Sequence, residues 1–199
     1  MIVDLERRQF LQLAGVTALL IALYKILSFQ FEGKRLVRPP GSIVEDAFIG
    51  VCVKCGACAQ KCPTGTIVLA TLSDGFKELG TPRIDALRGA CERIQGRCEV
   101  DAACERICPT GAIQRVDRDS IKTGSSLINT VRCIAWSGGS CLVCYEVCPV
   151  RGAISLTDEA RPVFNSDLCA GCGRCVYACP AQPKALTLVP DGEKRSMLG

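Results

Sequence analysis

The residues of this chain best suited to chemistry are its sixteen cysteines, all of which lie between Cys52 and Cys179. They fall into four runs. The first is Cys52-x2-Cys55-x2-Cys58-x3-Cys62-Pro63, and the last, Cys169-x2-Cys172-x2-Cys175-x3-Cys179-Pro180, has the same tight spacing. The second, Cys91-x6-Cys98-x5-Cys104-x3-Cys108-Pro109, and the third, Cys133-x7-Cys141-x2-Cys144-x3-Cys148-Pro149, are stretched at their first gap. A [4Fe–4S] cube presents four irons, each of which takes one thiolate, and C-x2-C-x2-C-x3-C-P is a ligand run for such cubes. Three cysteines at two-residue gaps wrap three corners within one loop. The fourth follows a short helical turn that carries it away, and in paired sites it ligates the other cluster. The proline after it cannot donate an N–H and stops the turn. Gly56, Gly171 and Gly173 lack a Cβ, so backbone N–H groups can approach the sulfurs closely. Sixteen thiolates suffice for four [4Fe–4S] clusters, and all sixteen are expected iron ligands.

Competing readings of the cysteines fit less well. A disulfide scaffold has no reason to repeat this spacing, and two bridges inside so tight a run would be badly strained. Structural zinc usually takes two separated cysteine pairs. A [3Fe–4S] cluster goes with a missing ligand, and no run lacks one. The chain of 199 residues has no histidine, which removes His-ligated haem, Rieske centres and the commonest general base. No glycine-rich nucleotide loop is present, so no catalytic residue is assigned. The formal charge of +4 belongs to the apo-chain. Four oxidised clusters at about −2 each would bring it to about −4, so the basic count does not argue for nucleic acid. Six Phe, three Tyr and one Trp make a thin aromatic core, and clusters are expected to replace much of it.

The elements that position the cysteines repeat with them. After each Cys-Pro comes a short turn, a small residue and an aliphatic stretch: Thr66-Ile67-Val68-Leu69, Ala112-Ile113, Ala153-Ile154-Ser155-Leu156 and Ala185-Leu186-Thr187-Leu188. Four such units predict an α+β fold of short antiparallel strands and short helices. The tight outer runs and stretched inner runs suggest nesting, first with fourth and second with third. On that pairing one cluster uses Cys52, Cys55, Cys58 and Cys179, and its partner uses Cys169, Cys172, Cys175 and Cys62. An inner cluster uses Cys91, Cys98, Cys104 and Cys148, and its partner uses Cys133, Cys141, Cys144 and Cys108. The cluster domain then spans 51–190, with an outer ferredoxin-like unit of about 51–75 plus 160–190 and an inner one of about 85–158.

Residues 1–31 read as an export or anchor segment. Arg7-Arg8-Gln9-Phe10-Leu11-Gln12 resembles a twin-arginine motif, which exports proteins already folded around their clusters. From Phe10 to Phe29 is 20 residues, about enough to cross a bilayer as a helix, with Lys25 able to snorkel. No small-residue cleavage site lies between Tyr24 and Lys34. A retained membrane helix is therefore expected, with the cluster domain on the outer face of the cell membrane. Residues 32–50 read as a polar linker, in which Arg38-Pro39-Pro40-Gly41 is extended or turn. Residues 191–199 read as a charged tail, frayed along with Pro190.

Several of these stretches together resemble a known family, the exported ferredoxin-type proteins associated with periplasmic nitrate reductase and with methylamine utilisation. The resemblance rests on Arg7-Arg8, Arg38-Pro39-Pro40-Gly41, Cys52-Val53-Lys54-Cys55-Gly56-Ala57-Cys58, Leu69-Ala70-Thr71-Leu72, Gly80-Thr81-Pro82 and Cys141-Leu142-Val143-Cys144-Tyr145-Glu146-Val147-Cys148-Pro149. It implies an electron carrier with no substrate site of its own. Its partners would be a quinone-linked integral membrane subunit and a redox enzyme. The alternatives are an iron–sulfur subunit of a molybdenum-cofactor oxidoreductase or hydrogenase, and a redox factor for maturing a partner enzyme.

Overall fold

The computed structural model describes residues 7–30, 34–95, 98 and 103–196. Its helices are α1 (Arg7–Gln30), α2 (Glu45–Val51), α3 (Ala57–Gln60), α4 (Ala103–Ile107), α5 (Val143–Glu146) and α6 (Arg174–Ala178). Its strands are β1 (Ile67–Leu69), β2 (Pro82–Ile84), β3 (Ser125–Ile128), β4 (Ile154–Leu156), β5 (Pro162–Phe164) and β6 (Leu186–Val189). This is the small α+β fold of short strands and helices expected from the repeats. Three of the four aliphatic tails, those after Cys62, Cys148 and Cys179, are strands. The fourth makes a single bridge at Ile113.

Strand pairing divides the chain into two halves of the same design. In the first half β1 pairs with β2 antiparallel, Ile67 facing Ile84, and a bridge joins Ser42 to Ile113. In the second half β4 pairs with β5, Ile154 facing Phe164, and β3 pairs with β6, Ser125 facing Val189. In both, the segment after one cysteine run pairs with the segment before the next. The segment ahead of the first run of the half pairs with the segment behind its second. Helix α3 packs on α4, and α5 on α6. Proline opens β2 and β5, a position it tolerates because the first residue of an edge strand need not donate.

Each half has its own core. One gathers Ile43, Phe48, Cys58, Ile67, Cys104, Ala112 and Ile113; the other includes Cys133, Cys144, Ile154, Cys175, Val176, Cys179, Ala185 and Leu186. Alanine, cysteine and a few branched aliphatics fill these cores, and Phe48 is the one aromatic fully buried in the first. So little apolar volume would hold a small domain poorly without a further staple.

The N-terminal expectation is overturned. Among the described residues no helix is long and apolar enough to cross a membrane. Helix α1 has 24 residues, Arg7–Gln30, and polar side chains recur along its apolar run. Gln12 and Thr17 interrupt it, and the Thr17 hydroxyl turns back to the Leu13 carbonyl at 2.6 Å. Arg7 and Arg8 open this helix.

Much of the described part of the stretch expected to be a polar linker is interior. Leu36 to Pro40 are buried, and Ile43 and Phe48 are fully so. The tail expected to fray is docked as far as Ser196. The Val44 N–H donates to the Ser196 carbonyl at 3.1 Å, and the Lys194 N–H to the Lys122 carbonyl at 2.8 Å. Residues 197–199 lie outside the described chain.

Candidate iron–sulfur sites

The sixteen cysteines line four cavities, four to each. Cavity I is lined by Cys52, Cys55, Cys58 and Cys108, with Phe48, Pro82 and Ile113 in its wall. Cavity II has Cys62, Cys91, Cys98 and Cys104, with Ile67 and Ile84. Cavity III has Cys148, Cys169, Cys172 and Cys175, with Ile154 and Phe164. Cavity IV has Cys133, Cys141, Cys144 and Cys179, with Ile128 and Leu186. Their empty volumes are alike at about 350, 380, 340 and 340 Å³ in that order, open mouths included. Four equal cavities with identical donor sets suit four copies of one guest.

This grouping corrects the nested pairing. Cys108, not Cys179, completes the site of Cys52, Cys55 and Cys58, and Cys62 joins Cys91, Cys98 and Cys104. Cys148 joins the fourth run, and Cys179 joins Cys133, Cys141 and Cys144. The fourth cysteine still crosses to a partner site, but the partner is the neighbouring run within the same half. The physical cause is the strand pairing, which brings runs one and two together in one half and runs three and four in the other.

All sixteen cysteines are free thiols. Among the described residues no group of three or more Cys, Asp, Glu or His closes tightly enough to hold a single metal ion. The donors are spread around a cavity, as a polynuclear cluster requires.

Local backbone conformation aims the thiols. Gly56 and Gly173 cap α3 and α6 with left-handed φ of 74° and 75°, a region that costs other residues about 1–2 kcal/mol. In the first run Lys54 accepts that cost, with φ of 56°, one residue before Cys55. Gly171 holds the equivalent place before Cys172.

Burial pushes half of the sixteen thiols up. Cys58, Cys144 and Cys172 rise to about 11, and Cys91 and Cys175 to about 12. As free thiols these are protonated at neutral pH, so cluster binding must release their protons. Cys108 moves the other way. Burial alone would raise it, but the N–H groups of Ile113, Thr110 and Ala112 point at its sulfur and hold it below the ordinary thiol value. The Thr110 hydroxyl adds to them from 3.8 Å. At Cys175 the sulfur meets the Ser126 hydroxyl at 3.2 Å. Hydrogen bonds to ligand sulfur favour the more negative, reduced cluster and so raise its potential.

Sequence reasoning passed over several residues around these cavities. Thr110 and Ser126 are two, and neither stands out from its neighbours in the sequence. Arg38 is the largest. It is 2% exposed, and its guanidinium lies 4.8 Å from the centre of the Phe48 ring. It donates to Thr81 Oγ1 at 2.7 Å, to the Pro82 carbonyl at 2.8 Å and to both Glu45 oxygens. Arg195 closes the network, 3.0 Å from Glu45 and 2.7 Å from Glu193.

Comparison with known proteins decides the family. A 4Fe-4S binding domain matches residues 161–185, across the fourth run. The ferredoxin-type protein NapG of Escherichia coli is 36% identical over 97% of this chain and 89% of its own length. The chain belongs to the NapG/MauM family of ferredoxin-type proteins. The methylamine utilization ferredoxin-type protein MauM of Paracoccus denitrificans is 39% identical over 78% of this chain and 72% of its own. The ferredoxin-type protein NapF of Haemophilus influenzae is 30% identical, with coverage of 89% and 90%. As a member of this family the chain is a ferredoxin-type electron-transfer protein that binds 4Fe-4S cofactor, an electron carrier rather than an enzyme.

Proposed function

We propose that the protein holds four [4Fe–4S] clusters, one in each cavity, and relays electrons between a quinone-linked membrane partner and a redox enzyme. The observation that carries the reading is the division of sixteen free cysteines into four like cavities of four. The clusters supply one-electron redox chemistry. The chain's own part is to hold four thiolates per site, direct N–H groups at the sulfurs and keep water from the apolar walls. Differences in those contacts set the potentials apart. The choice of partners follows the resemblance to carriers that serve nitrate reduction and methylamine utilisation.

The test uses the holoprotein purified without oxygen and mixed with quinol-loaded membranes from its own cells. The expected result is reduction of the clusters, seen as bleaching of their visible absorption, and reoxidation when a fraction holding the acceptor enzyme is added. If dithionite reduces the clusters and quinol-loaded membranes do not, the quinone link is wrong.

A further inference from the structure

Cavities I and II exchange their fourth ligands, Cys108 and Cys62, and are therefore neighbours within the first half. Cavities III and IV exchange Cys148 and Cys179 and are neighbours within the second. The order of the four depends on where the halves meet. There the Cys91 N–H donates to the Cys172 carbonyl at 2.8 Å, joining a residue of cavity II to one of cavity III. Glu92, next to Cys91, and Arg174, next to Cys175, form an ion pair with 15% and 19% of their side chains exposed. Gly173 approaches so closely that a Cβ there would stand 2.7 Å from Ala86 Cβ. Other links between the halves, such as Arg35 to Glu193 and Val44 to Ser196, involve no cluster cysteine.

We infer that the clusters stand in the order I–II–III–IV, with the Cys91–Cys172 contact as the internal junction and clusters I and IV as the ends that meet partners. The inference rests on the four-cluster reading above. Each hop oxidises one cluster by one electron and reduces its neighbour by one. The external donor and acceptor are the quinone-linked partner and the redox enzyme. No proton or bond need move. Cavity I fits a terminal place, since Cys55 is the exposed cysteine of the sixteen and Val53, which also lines that cavity, is 61% exposed.

Iron anomalous scattering from crystals of the oxygen-free holoprotein locates the clusters directly. The expected result is four iron positions whose nearest neighbours are I–II, II–III and III–IV. Halves joined instead through I or IV overturn the order. A second measurement needs no crystals. In the fully reduced protein, Cys169→Ala should remove cluster III, leave IV magnetically uncoupled and leave II coupled to I alone, while Cys55→Ala should remove cluster I and change II alone. If loss of I changes III or IV, the order is wrong. Should either alanine variant fail to fold, the serine variant at the same position gives the same readout through a weakened cluster. A protein with fewer than four clusters contradicts the preceding reading, whereas four clusters in another order contradict this one alone.

Discussion

Cys179→Ala should destroy the cluster held by Cys133, Cys141 and Cys144 and leave the one held by Cys169, Cys172 and Cys175 intact. Cys179 follows α6 in sequence, but its sulfur lines cavity IV with the third run. Cavity III, where the rest of the fourth run lies, is completed by Cys148. Without its fourth thiolate one iron of cluster IV has no protein ligand, and a cube of this type then tends to fall to [3Fe–4S] or dissolve. Iron per chain should drop by about a quarter if the whole cube is lost. The mirror variant, Cys148→Ala, should remove cluster III instead. In the first half Cys108→Ala should remove cluster I, and Cys62→Ala cluster II. Assignment is by EPR of the reduced variants. Loss of the Cys52–Cys55–Cys58 cluster on replacing Cys179 would restore the nested pairing and contradict the grouping found here.

The second large effect is expected at Arg38. Its charge is almost wholly buried and satisfied by Glu45, Thr81 and the Pro82 carbonyl. Removing one partner of a fully buried ion pair costs about 3–5 kcal/mol. Glu45 is one-third exposed and keeps Arg195, so about 2–3 kcal/mol is the expected cost of Arg38→Gln. Arg38→Lys should recover little of it, because a lysine ammonium cannot reach three acceptors in one plane. Burial pushes the Cys52 thiol of cavity I up, and the same charge acts against that rise. Its loss should therefore lower the potential of cluster I, since a nearby cation favours the more reduced, more negative cluster. The urea midpoint for cluster loss measures the first effect, and an EPR-monitored redox titration the second. A midpoint unchanged in Arg38→Gln would show that the network contributes little. A lowered midpoint with no shift in potential would limit Arg38 to a structural role.

Much of the site was legible in the sequence, and its pairing was not. The four runs, their trailing prolines and the aliphatic tails locate all sixteen cavity cysteines, and three of those tails are strands. What misled was the use of gap length as a mark of partnership. A gap such as Cys91-x6-Cys98 records how much loop has been inserted. Which runs share sites is decided by which strands pair, and that signal lay elsewhere. Pro82-Arg83-Ile84-Asp85 stands before the second run and Pro162-Val163-Phe164-Asn165 before the fourth. Each is an edge strand followed at once by a residue that caps the next turn. Asp85 accepts from the Leu87 N–H at 3.1 Å, and Asn165 from the Asp167 N–H at 3.0 Å. Read as a repeat, these mark runs two and four as equivalent second members of two halves in tandem.

Arg38 was obscured for a different reason. An arginine before Pro-Pro-Gly looks like a solvated linker, because the partners that make its burial tolerable, Thr81 and Pro82, lie far along the chain. The tail was misread likewise, since its partners at Ser42, Val44 and Lys122 are distant in sequence. In the N-terminal segment, charge and apolar content suggested a span, but among the described residues no helix is long and apolar enough for one.

The most direct test of the account is the iron and acid-labile sulfide content of the protein purified without oxygen, with the cluster type read by Mössbauer spectroscopy. Four filled cavities predict about sixteen of each per chain, all as [4Fe–4S]. About twelve irons or fewer in fully loaded protein, or zinc in place of iron, would contradict it.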